Sequence, residues 1–117
     1  MLLYLHAGDK PQMDLLYLIK YTSGDGREHS LKLVDKLAPY WMKMGYLLGI
    51  EPQQLDDWEH KYDSPSNRSG AVLTYFLRHG SSGTYHYPST WGGIIKLLQD
   101  LDLQWIAKEI QGIACSS

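Results

Sequence analysis

Five histidines, a single cysteine and a few serines are the residues of this chain with reactive chemistry to offer, and their spacing decides which kind. His6, His29, His60, His79 and His86 form neither an HExxH pair nor a Cys/His zinc pattern, and Cys115 has no second cysteine with which to close a disulfide. His79 with Ser81 and Ser82 places an imidazole near hydroxyls, as a hydrolase would. No Gly-x-Ser-x-Gly elbow and no acid partner accompany them. His79 and His86 flank one loop whose neighbourhood supplies no further ligands, so solvated histidines are expected there. Gly24-Asp25-Gly26 lacks the second half of either nucleotide fingerprint and reads as a turn. Asn67-Arg68-Ser69 matches the glycosylation sequon only formally in a chain expected to stay in the cytosol. The expectation is therefore no hydrolase site, no metal and no small-molecule substrate, which leaves the chemistry of surfaces.

The chain has 117 residues, enough for one domain with its own core and short of two. With 44% apolar and 21% charged residues it has the composition of an ordinary globule rather than a disordered chain. Eleven basic against thirteen acidic residues leave a formal charge of -2. That balance argues against broad phosphate neutralisation, hence against nucleic acid as partner, and it offers no polybasic patch to a membrane. No apolar run approaches the roughly 18 residues that a bilayer span needs. Met1 to Leu5 lacks a basic flank and is interrupted from His6 onward, so no signal peptide is expected. With one cysteine, a reducing compartment and a cytoplasmic location follow as expectations.

These surfaces must be positioned by helices, because beta-branched residues are scarce and Leu, Ile and Met recur at helical intervals from about Leu31 onward. Leu31, Val34, Leu37 and Ala38 form a stripe that Pro39 ends or bends. Trp41, Met44, Gly45 and Leu48 share the face of a following helix closed by Gly49, with Ile50 across the cap. Pro52 suits the first turn of a third, which turns Leu55 and Trp58 inward and Asp56, Asp57, Glu59 and His60 outward. Asp63 to Asn67 reads as a loop, and a helix carrying Val72, Leu73, Phe76 and Leu77 ends at Gly80. Gly80 to Pro88 reads as an exposed loop. Ser89 or Thr90 caps a helix with Trp91, Ile94, Ile95, Leu98 and Leu101 on one face. Asp102 caps the last, with Leu103, Ile106, Ala107 and Ile110 inward and Gly112 as its stop. Residues 1–29 include the short apolar runs Leu2 to Leu5 and Leu15 to Ile19. The favoured reading is one helix near Pro11 to Tyr21, and the rival is a short hairpin remaining from a preceding domain.

The run Trp41-Met42-Lys43-Met44-Gly45-Tyr46-Leu47-Leu48-Gly49-Ile50, followed by Leu55, Trp58 and Glu59, resembles the second and third helices of a death domain. Thr90-Trp91-Gly92-Gly93-Ile94-Ile95-Lys96-Leu97-Leu98, then Leu103, Ile106, Ala107 and Ile110, resembles the fifth and sixth, including the Thr-Trp opening. Leu73 and Phe76 fit the fourth, where the family often has Trp. The resemblance covers roughly residues 30–112. It implies an all-α, six-helix antiparallel Greek-key bundle over residues 30–117, with residues 1–29 as an additional N-terminal segment that has no family counterpart. It also implies no catalytic residues and no cofactor, and a function of homotypic association with other death-fold domains in intracellular signal transduction. Gly45 departs from the family's usual Ala. Gly92 and Gly93 stand where polar helix formers are common, at up to about 1 kcal/mol each relative to alanine, and less near a first turn.

Trp41, Trp58 and Trp91 fall on apolar faces and are expected in the core, whereas Trp105 is rotated toward the flank of its helix. Such a tryptophan either folds against residues 1–29 or anchors an intermolecular contact. Glu51, Asp56, Asp57 and Glu59 make one helix acidic, and Arg68, Arg78 and His79 make the next basic. Opposite patches on one small module could pair copies head to tail, as the resemblance implies. The expected partner-binding residues are therefore Asp56, Asp57, Glu59, Arg68, Arg78, Asp102 and Trp105. The partners are other death-fold domains or further copies, with apoptotic or innate-immune signalling as the setting. The rivals are a sterile-alpha-motif-like interaction domain, which would not carry the Thr90-Trp91 to Ala107 pattern, and a helical nucleic-acid binder reading through Asn67 to His79.

Overall fold

In a computed structural model the described residues are 6, 8–81 and 86–115, the side chains of 114 and 115 excepted. The run Leu2 to Leu5, Ser82 and the Cys115 side chain lie outside them. The expected helix near Pro11 to Tyr21 is shorter than its apolar run: α1 spans Met13–Tyr17, and Leu18 already has extended backbone at φ -157°. Strands β1, Ile19–Thr22, and β2, Glu28–Leu31, then pair antiparallel with Ile19 opposite Leu31 and Thr22 opposite Glu28. The cluster of turn residues that looked like a helix stop is the hairpin turn. Gly26 sits at φ 83°, Ser23 donates its hydroxyl to Asp25, and the Arg27 N–H donates to the same carboxylate at 3.1 Å. The alternation of the strands turns Ile19 and Leu31 into the core, both fully buried, and leaves Lys20 and Ser30 in solvent.

Among the described residues, six α-helices follow the hairpin. They are α2, Leu33–Lys36; α3, Trp41–Leu47; α4, Pro52–Lys61; α5, Pro65–His79; α6, Trp91–Asp100; and α7, Gln104–Cys115. Leu31 is in β2 rather than on the expected helical stripe, and Pro39 sits in a 3-10 turn, Ala38–Tyr40, where its missing N–H does no harm. Gly49 at φ 79° and Gly80 at φ 68° close α3 and α5 as expected. The supposed loop Asp63 to Asn67 instead holds the start of the longest helix: the Asn67 N–H donates to Ser64 Oγ at 3.1 Å and Pro65 opens α5. Thr90 caps α6 in the same way, accepting from the Gly93 N–H at 3.1 Å.

Two further expectations change at the C-terminal end. The α6–α7 turn puts Asp102 at φ 65°, with Leu103 O accepting from the N–H groups of Ile106 and Ala107, so Asp102 shapes the turn rather than capping α7. Gly112 does not stop α7, which continues to Cys115. The loop after Gly80 is not wholly exposed either. Tyr87 is fully buried, donates its phenol to Asp100 Oδ2 at 2.6 Å, and donates its backbone N–H to Ser81 Oγ at 2.8 Å.

One apolar core joins all parts. It includes Leu16 from α1, Ile19 and Leu31 from the hairpin, Leu33 and Leu37 around α2, Met44, Leu55, Leu73, Phe76, Trp91, Leu98 and Ile110. Helix α5 is the hub, in contact with α1, α2, α3 and α4, while α6 pairs with α7. The buried Ser69 hydroxyl donates to Val34 O at 2.5 Å and fixes α5 against α2, two elements far apart in sequence. Glycine is required at Gly93, where two stretches of backbone cross, whereas at Gly45 a side chain would meet only the movable end of Leu55. A Cβ on Gly93 would lie 1.8 Å from the Pro88 carbonyl oxygen, and one on Gly45 would lie 2.5 Å from Leu55 Cδ2. The helix-propensity cost expected at Gly93 thus accompanies a close backbone crossing. Among the described residues, no helix is long and apolar enough to cross a membrane.

Candidate interaction surface

Helix α4 presents its carboxylates because Leu55, buried to 1% exposure, fixes which way the helix faces. Asp56, Asp57 and Glu59 are all exposed. Gln53 Nε2 donates to Asp57 Oδ1 at 3.1 Å one turn away, and His60 Nδ1 lies 2.8 Å from the Asp56 carbonyl oxygen and 3.8 Å from its carboxylate. That carbonyl, and then the Asp56 charge, raise the His60 imidazole above its ordinary pKa. Protonation there reduces the negative charge of the face.

The basic residues divide. Arg68, half-buried at the start of α5, donates Nε to Tyr62 O at 3.0 Å and Nη2 to Glu59 O at 3.1 Å, with its guanidinium 5.7 Å over the Trp41 ring. It closes the carbonyl end of α4, so this cation is already occupied inside the fold. Arg78 is exposed on the last turn of α5 and has no hydrogen bond or ion pair among the described residues.

Asp102 and Trp105 flank the α6–α7 junction but have different neighbours. Asp102 borders a concavity with Lys43, the exposed Tyr46 and Asp100, which brings the ends of α3 and α6 together. Trp105 is 55% exposed, and Lys36 Nζ lies 5.2 Å over its ring while pairing with Glu109 Oε2 at 3.3 Å. The segment before α2 reaches this region through Tyr21. Its phenol is held above its usual pKa by burial, then by the nearby Glu109 charge. The seven expected residues therefore form an acidic α4 face, an internal clamp at Arg68, a cation at Arg78 with no partner among the described residues, and a junction with Asp102 and Trp105.

The surface also includes Tyr46, and it includes Met13, Tyr17 and Leu18, all exposed large apolar side chains not expected from the sequence reading. Tyr46 was legible in principle, since inward Met44 and Gly45 leave it outward on α3. Met13 and Tyr17 were not, because so short a helix gives no periodicity to read. Among the described residues no three His, Cys, Asp or Glu side chains group to hold a metal ion. His79 packs at a tilt against Tyr75 with 4.7 Å between centroids and Ser81 Oγ accepts from the Tyr87 N–H, which gives these two members of the hydrolase set different partners.

Neither the curated proteins nor the solved structures include a match to the chain. A death-domain family profile matches residues 27–114, a range that begins at the hairpin turn and takes in α2 to α7. With six helices in that order, the Thr90-capped Trp91 helix and the Leu103 to Ile110 stripe folded inward as the resemblance requires, the chain belongs to the death-domain family.

Proposed function

We propose that this domain works in the cytoplasm by homotypic association, with other death-fold domains or with further copies of itself, in signal transduction of the apoptotic or innate-immune type. Family membership supports the coarse reading of a protein-interaction module. The finer reading is carried by one observation: three exposed carboxylates on α4 face solvent while an unpaired Arg78 projects from α5. Opposite charges on separate faces of one rigid module steer association and fix its register. Asp56, Asp57, Glu59, Arg78, Asp102 and Trp105 are proposed as contact residues. Arg68 is proposed to act indirectly, by holding the end of α4 that carries Glu59. The test is Asp56→Lys with Asp57→Lys, and separately Trp105→Ala, each checked for fold by circular dichroism. Retained partner binding and self-association in both folded variants would exclude these surfaces.

A further inference from the structure

The outward stripe of α5 lies in a groove of about 340 Å³ between α1 and α4. Its floor is made of small residues, Gly70, Ala71 and Thr74, at helical spacing. One wall is the N-terminal segment. Tyr17 lies so close over Gly70 that a Cβ there would come within 2.8 Å of its hydroxyl, and Met13 Sδ is 3.7 Å from Thr74 Oγ1. The other wall is Trp58 and Tyr62 of α4, with Trp58 edge-on to Tyr75 at 6.1 Å between centroids. Tyr17 is 46% exposed in a groove also lined by Trp58, Tyr62 and Tyr75, so one wall offers apolar surface to a ligand.

The groove is also charged on one side only. Arg78 stands among its lining residues with no ion pair or hydrogen bond among the described residues, and no carboxylate lines the groove. An unpaired guanidinium beside rigid aromatic walls matches an apolar anchor accompanied by an acid. We propose that this groove docks a short acidic peptide segment of a partner protein, with an apolar residue between Tyr17 and Tyr62 and a carboxylate on Arg78. This site is built in part by the N-terminal helix, and it shares only Arg78 with the proposed contact between domains. An acidic segment bound there would compete for that cation.

The experiment uses the full chain to select from a displayed library of random peptides, followed by affinity measurement on synthesised winners. Selected peptides are expected to combine an acidic residue with a nearby aliphatic, proline or aromatic anchor. Their affinity should fall about tenfold or more for Tyr17→Ser and for Arg78→Glu, the loss of one hot-spot contact. It should persist in Asp56→Lys with Asp57→Lys, whose own readout is self-association, so failure of the two proposals can be told apart. Thermal melting of each variant controls for folding, and amide shifts at Thr74 and Tyr75 on adding peptide locate the site if Tyr17→Ser unfolds. No enrichment, winners without acids, or unchanged affinity in both groove variants would overturn the proposal. Loss of wild-type self-association in folded Tyr17→Ser would overturn it as well, by making the groove an interface between copies.

Discussion

His60 follows Asp56 by one helical turn, and the 2.8 Å approach of its ring nitrogen to the Asp56 carbonyl oxygen gives the acidic face a titrating neighbour. Because the folded pKa lies above the unfolded value of about 6.5, this interaction stabilises the fold fully below that pH. Its contribution is lost as pH rises through the folded value. A histidine titration by NMR should place the His60 midpoint above that of the unfolded chain. Asp56→Asn should reduce the displacement without abolishing it, since the backbone carbonyl is the larger cause. A midpoint at or below the unfolded one would contradict the geometry. Arg68 gives a second prediction at this scale. Its two bonds to the last carbonyls of α4 and its place over Trp41 make Arg68→Ala costly by about 2 kcal/mol, read by urea unfolding. Arg68→Lys should recover little of that, because an ammonium does not reproduce the planar fork.

Helix α6 tests how an element is held in place. Gly93→Ala drives a methyl into the Pro88 carbonyl at a crossing fixed by the Thr90 cap, so a loss of about 1–3 kcal/mol is expected from overpacking. A neutral effect would mean that the Pro88 segment yields. The helix was legible in the sequence because its cap and its apolar stripe are adjacent in the chain, and the same holds for α3 and α4, whose starting and closing residues flank clear periods. The start of α5 was misread, since Ser64, Pro65 and Asn67 serve equally as loop residues and as a cap with its first turn. Strand β1 was read as the end of a helix, with a hairpin only as the rival, for a different reason: with only Ile19–Thr22, a period of two and a period of 3.6 are hard to separate. At the surface, the exposure of Asp56, Asp57 and Trp105 was legible from helical angle alone. The occupation of Arg68 was not, because its acceptors belong to another helix and the contact exists only after α4 and α5 meet.

The whole molecule is a single core to which the segment before α2 contributes. Leu16 and Ile19 are buried among residues from the helices of the bundle, and the Trp91 N–H at the start of α6 donates to Asp9 O at 3.1 Å. Leu16→Ala should therefore cost about 2–5 kcal/mol, as a truncation inside a core does, measured by thermal or urea unfolding. A loss under about 0.5 kcal/mol, the range of surface substitutions, would show that this segment is peripheral. The same core carries the acidic α4 face and Arg78 on one body, where they are proposed as the two halves of a contact between molecules. Multi-angle light scattering on a mixture of two variants tests that claim most directly. Asp56→Lys with Asp57→Lys keeps only the Arg78 side, and Arg78→Glu keeps only the acidic side. Each alone should remain monomeric while the wild type grows with concentration, and the mixture should form a one-to-one pair that salt dissociates. A wild type that stays monomeric, variants that assemble as it does, or a mixture that stays monomeric while the wild type assembles would contradict pairing of these faces.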